Sequence, residues 1–92
     1  PKAAKEKAKP AAGALENPGL FDRLRNLRGR LAAEQNVPAY VVFSNAALTD
    51  MCRRLPKNNS EFLEVSGVGK AKLERYGEDF LQEIQDWLKE QA

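Results

Sequence analysis

Only one stretch of this chain, VPAYVVF at residues 37–43, has the β-branched and aromatic content of a strand, and no second stretch exists to pair with it. A lone strand is not viable. We therefore expect residues 37–43 to be an extended or 3₁₀ connector that drops Val41, Val42 and Phe43 into a core, and the rest of the fold to be helical. The same stretch is the longest apolar run in the sequence, far short of the roughly 18 residues that span a bilayer, which argues against a membrane protein. The chain has a single cysteine, Cys52, and no histidine. An intrachain disulfide is therefore impossible, the usual zinc ligand sets cannot be assembled, and packing alone must hold the fold. The commonest general base is missing too, and no Ser-His, Cys-His or paired-carboxylate set stands out, so we expect a non-catalytic domain. Because the chain opens on Pro1 with no signal segment, we read it as a piece of a longer protein.

Residues 1–19, PKAAKEKAKPAAGALENPG, contain Leu15 as their one large apolar side chain and cannot bury enough surface to offset ordering. We expect an interdomain linker there and a single helical domain over 20–92. Leu20, Leu24, Leu27 and Leu31 recur at three- and four-residue intervals with Phe21 alongside, a buried helical stripe. Asn17 can cap that helix, Pro18 suits its first turn, and Gly29 inside it suggests close packing against a neighbour. The helix should end near Asn36, ahead of Val37-Pro38. Ser44 caps a second helix carrying Leu48, Met51, Cys52 and Leu55, which Pro56 stops. Asn58 and Glu61 read as a capping-box variant opening a short helix with Phe62, Leu63 and Val65 inward. After Gly67-Val68-Gly69, a short helix over 70–76 should close at Gly77 in a left-handed cap, followed by a last helix over 78–90. Its buried face would be Phe80, Leu81, Ile84, Trp87 and Leu88. The fold expected is an all-α, five-helix orthogonal bundle.

Charge is segregated along the chain. Residues 20–57 hold seven basic side chains against Asp22, Glu34 and Asp50, whereas residues 78–92 hold Glu78, Asp79, Glu83, Asp86 and Glu90 against Lys89. Steering of a polyanion follows the local field, so the first half could bind nucleic acid while the last helix faces elsewhere. On a helical wheel Arg23, Asn26 and Arg30 line one border of the apolar stripe, and Arg25 and Arg28 the other. These arginines either contact phosphates or solvate the helix and pair with Asp22 or Glu34. VSGVGKAKLERYG at 65–77 resembles a helix-hairpin-helix motif. There Gly67 and Gly69 would let a phosphate approach backbone N–H groups and a helix N-terminus, with Lys70 and Lys72 adding charge. The alternative is a tight turn that binds nothing.

Taken together, LRNLR, the block NVPAYVVFSNAALTDM, the Leu55-Pro56 stop and FLEVSGVGKAKLERYG, in this order, resemble the HRDC domain, the helicase-and-RNase-D C-terminal module, over residues 20–88. The likeness is greatest to HRDC domains of bacterial RecQ-type DNA helicases. It implies a five-helix accessory domain that helps bind single-stranded or branched DNA. The motor, with its ATP and Mg, would lie elsewhere in a parent helicase, and this domain would need no cofactor. It also implies a monomeric module in the bacterial cytoplasm, with DNA and other domains of the same helicase as partners and no membrane. Tyr40 matches the aromatic position of VPxYVVF that lies on the DNA-binding face of such domains, where a ring beside cations can stack on an unpaired base; packing with its hydroxyl at the surface is the alternative. Asn26 and Gly29 stand where related domains often carry Lys, which thins the basic surface. The acidic helix, through Glu78, Asp79, Glu83 and Asp86, is either a solvated exterior or a docking face for another domain of the helicase. An RNase D-like parent is the third alternative.

Overall fold

The computed structural model describes residues 17–91. The linker expected at the N-terminus lies outside the described residues as far as residue 16. Among the described residues there are five helices and no strand: α1 (Pro18–Gln35), α2 (Ala39–Val42), α3 (Asn45–Arg54), α4 (Asn59–Phe62) and α5 (Lys70–Gln91). The expected all-α architecture is the one found. None of these helices is long and apolar enough to cross a membrane.

α1 buries Leu20, Leu24, Leu27 and Ala32 and packs against α2, α3 and α5, so it is the element the others share. Asn17 stands at its N-cap position, but the side chain caps nothing there. Its Nδ2 instead donates to the Cys52 carbonyl at 2.7 Å, stitching the start of α1 to α3. The helix ends at Asn36, which adopts the left-handed region at φ 59°. The N–H groups of Asn36 and Val37 donate back to the carbonyls of Ala33 and Ala32 at 3.2 and 3.0 Å, a Schellman closure. Gly29, expected at a close contact, faces open space: a Cβ there would meet nothing within 4 Å.

Of the extended or 3₁₀ connector expected, the extended form is not found: residues 39–42 are a single α-helical turn, entered through one i→i−3 bond of 3₁₀ type. Pro38, with φ −62°, opens the turn, and its carbonyl accepts the Val41 N–H at 3.0 Å. Helical rotation then separates the side chains expected to go in together. Val42 and Phe43 are buried, whereas Val41 is 37% and Tyr40 72% exposed. In α3 the Ser44 hydroxyl accepts the Ala47 N–H at 3.1 Å, as expected of a cap, and Leu55 ends the helix in the left-handed region at φ 49° before Pro56. At α4 Asn58 Oδ1 accepts the Glu61 N–H at 2.9 Å, while the Glu61 carboxylate reaches back to the Lys57 N–H at 2.9 Å, one residue earlier than in a standard capping box. Phe62 and Val65 are buried, but Leu63, expected inward, is exposed.

The two helices expected over 70–76 and 78–90 are one continuous helix, α5. Gly77 is not a left-handed cap. It lies buried in mid-helix, where a Cβ would come within 2.5 Å of Leu73 Cδ1 and 3.8 Å of Phe62 Cδ2. The missing side chain makes room for Leu73 and for α4, which packs on α5. Phe43 sits at the middle of the core, edge-on to Phe62, Tyr76 and Phe80 at centroid distances of 6.0, 5.7 and 4.9 Å. Trp87 is only half-buried, packed against the core with its indole nitrogen over Gly19.

Candidate nucleic-acid interface

α2 is four residues long, too short to be stable alone; the Phe43 N–H closes on the Ala39 carbonyl at 3.4 Å, and the carbonyls after it lie beyond the reach of the turn's own N–H groups. Two cations supply them. Lys72 Nζ donates to the carbonyls of Val41 and of Val42, the latter at 2.7 Å, and lies 5.5 Å from the centroid of the Phe43 ring. Arg28 Nη1 donates to the Phe43 carbonyl at 3.1 Å and to Asn45 Oδ1 at 2.8 Å. Arg28 is buried, and that burial, with the nearby charge of Arg25, pulls its pKa down, although a guanidinium stays charged. Neither cation is free to contact phosphate in the way the sequence suggests. Their work is to hold the turn that presents Tyr40.

The other arginines of α1 divide. Arg23 donates to Glu83 at 2.6 Å and to Glu90 at 2.8 Å, and these hydrogen bonds raise its pKa. Arg30 lines a groove with Glu34, Asp79 and Glu83. The acidic part of α5 therefore faces these cations and does not look away from them, contrary to expectation. Arg25 is exposed, with only a 3.7 Å approach to Asp22. The four guanidiniums do not form one phosphate-binding surface.

The glycine turn is held from below by Asp50. That buried carboxylate accepts the Ser66 N–H at 2.9 Å, Arg53 at 2.6 Å and Arg54 at 2.7 Å. Burial alone would raise its pKa, but the Ser66 N–H and the two guanidiniums outweigh burial and hold it at about 2. Gly67 takes φ +80°, which an L side chain resists. The Gly69 carbonyl accepts the Leu73 N–H at 2.9 Å and so starts α5. A Cβ on Gly69 would meet nothing within 4 Å, and Lys70 is exposed, so the helix start is open to solvent.

Val41, Ala71, Lys72, Arg75 and Tyr76 line a recess of about 310 Å³ that joins the α2 turn to the first turns of α5. The fold thus ties the turn that carries Tyr40 to Lys72, near the start of α5, while Arg23 is committed to Glu83 and Glu90 and Arg28 to the Phe43 carbonyl and Asn45. It adds Arg75, which sequence reasoning missed. The available signal was helical spacing, since Arg75 lies three residues after Lys72 and four after Ala71 on one face; an even charge balance over 58–77 concealed it. On the opposite flank Glu78 lines a cleft of about 550 Å³ with Leu73, Glu74, Leu81 and Gln85. The Gln85 Nε2 is buried without a hydrogen-bond partner among the described residues. Glu83 is committed to Arg23, Asp86 accepts from Gln82 at 2.9 Å, and Glu78 and Asp79 are exposed. No group of three or more His, Cys, Asp or Glu that could hold a metal ion gathers among the described residues, and burial pushes the Cys52 thiol up to about 12, which makes it a poor nucleophile.

The HRDC domain family model matches residues 17–84. The chain is 46% identical over 86 residues to the ATP-dependent DNA helicase RecQ of Bacillus subtilis, covering 94% of this chain and 15% of that helicase. It is 46% identical over 67 residues to the RecQ helicase of Haemophilus influenzae, covering 73% of this chain and 11% of that protein. Among solved structures, the D. radiodurans RecQ HRDC domain 3 superposes with a TM-score of 0.76 at 40% identity, over 78% of this chain and 95% of that one. The chain spans about a seventh or less of these helicases' length. An all-helical fold with Phe43 at its centre, matched both by the family model and by a solved HRDC domain, makes this chain a member of the HRDC family, the accessory domain of RecQ helicases.

Proposed function

We propose that this domain helps a RecQ-type DNA helicase hold single-stranded or branched DNA and so tunes which structures the enzyme engages. Tyr40 carries the reading. It is 72% exposed on a turn pinned by two cations, while every other aromatic ring among the described residues is buried or half-buried. A ring held this way can stack on an unpaired base, worth about 1–3 kcal/mol, without choosing among bases. In this reading Lys70, Arg75 and the open first turn of α5, the helix to which Lys72 ties the Tyr40 turn, take phosphates of the same strand, and Gly67 and Gly69 leave room for its approach. Arg25 is a further exposed cation. ATP and Mg belong, in this reading, to a motor elsewhere in a parent chain located in the bacterial cytoplasm, and the domain acts as a monomer without a cofactor. Fluorescence anisotropy across a salt series, with single-stranded and partial-duplex DNA, tests the proposal. Tyr40→Ala is expected to weaken binding about tenfold or more; unchanged affinity, or no binding by the unaltered chain even at low salt, rejects it.

A second reading has its own observation. The cleft rimmed by Glu74 and Glu78 contains a buried amide lacking an acceptor, which a docked backbone carbonyl from another domain of the same helicase would supply. Reversing charge at Glu78 and Asp86 together is then expected to shift the DNA preference of the parent enzyme, and an unshifted preference rejects docking. The reported relatives are helicases, which favours a helicase parent over an RNase D-like one.

A further inference from the structure

We infer that the recess beside Tyr40 is a second nucleotide subsite, taking the unpaired base next to the one stacked on Tyr40, with Arg75 on the phosphate between them. This rests on the reading above and extends it from one ring to a two-nucleotide footprint. The lining of the recess is mainly apolar, with Val41, Ala71 and Tyr76, whose hydroxyl donates to Gln35 Oε1 at 2.8 Å. Its volume of about 310 Å³ is at the low end of small-ligand sites, which run from roughly 300 Å³. The rim is cationic on one side. Lys72 is occupied by the α2 carbonyls, but Arg75 is exposed and forms no ion pair with the carboxylates of the described residues. An apolar slot with an exposed guanidinium in its lining, one residue along the chain from the exposed Tyr40 ring, offers the groups that a base, its phosphate and a neighbouring base require. A base inside a duplex cannot enter without leaving its stack, so the slot selects unpaired strands. An acidic peptide carrying an aromatic side chain would suit the slot and the guanidinium, but it would leave Tyr40 without a role, so the strand is favoured.

Filling the slot tests this. Ala71 is exposed near the start of α5, and leucine is a strong helix former, so Ala71→Leu should keep the fold, as circular dichroism can verify. With labelled oligothymidylate at low salt, Ala71→Leu is expected to weaken binding about tenfold, yet to bind an abasic strand of equal length as the unaltered chain does. Arg75→Ala, which leaves the slot open, is expected to lower the slope of log affinity against log salt by about 0.7. If Ala71→Leu binds oligothymidylate normally while Tyr40→Ala does not, the subsite is overturned and the DNA-binding function stands. Equal loss on the abasic strand also overturns it. If the unaltered chain binds neither oligonucleotide, both proposals fall, and recess-dependent binding of an Asp- and Phe-bearing peptide would assign the slot to a protein partner.

Discussion

Asp50 accepts three donors inside the fold, the Ser66 N–H and the Arg53 and Arg54 guanidiniums, and its pKa lies at about 2 against an ordinary 3.8. A carboxylate with a depressed folded-state pKa adds stability above its unfolded pKa and loses it as pH falls through the folded one. The unfolding free energy should therefore drop by about 2 kcal/mol between pH 5 and pH 2 on account of this group. Urea titrations at both pH values check this, and Asp50→Asn is expected to flatten the dependence. Two glycines give a paired prediction. Gly29→Ala, with its Cβ in open space on α1, should gain about 1 kcal/mol and raise the melting temperature by about 4–8 °C. Gly77→Ala should show no gain, because its Cβ would collide with Leu73; a melting temperature raised equally in both would contradict this account. None of the three sites is legible from local sequence. Asp50 looks like one more helix charge until Ser66, 16 residues away, is seen to donate to it. A helical glycine looks the same whether it faces solvent or a leucine.

At the scale of elements, α2 shows what spacing can and cannot say. That VPAYVVF had no strand partner was readable, and so was the burial of Val42 and Phe43. Its helical turn was not, because Lys72 and Arg28, distant in sequence, satisfy its last carbonyls. Replacing Lys72 by Met keeps the stem and removes the donor. Stability should fall by about 1 kcal/mol, and the amides of residues 40–43 should exchange with solvent faster, measurable by hydrogen exchange. A variant with normal protection there would show that the lysine does not hold the turn. The break predicted at Gly77 failed for a related reason. Glycine after an amphipathic segment often ends a helix, but the apolar face here runs on through Phe80 and Ile84, and continuous burial overrides a weak local signal. The caps at Ser44 and Asn58 were readable because each is completed within three residues.

For the whole molecule, charge counted along the chain suggested a cationic half and an anionic half facing apart, yet the fold joins them through Arg23, Glu83 and Glu90. Linear charge blocks cannot reveal this, since it depends on α1 packing beside α5. The consequence is measurable. With Arg23 and Arg28 committed internally, a strand that meets only the proposed face finds Lys70, Arg75 and the start of α5, so its log affinity should fall with log salt at a slope no steeper than about −2. A slope beyond about −4 would show that cations outside this face, in α1 or elsewhere in the chain, also meet the phosphates. The turn that carries Tyr40 is tied at its C-terminal end by two residues, one 15 positions upstream and one 30 positions downstream. Its own bonds, from the Val41 N–H to Pro38 and from the Phe43 N–H to Ala39, make one turn that is too short to persist alone, so it should become protected only once α1 and α5 have packed. During synthesis the segment proposed to read the strand should then settle among the last, and a nascent chain that stops before α5 should leave the amides of residues 40–43 open to exchange.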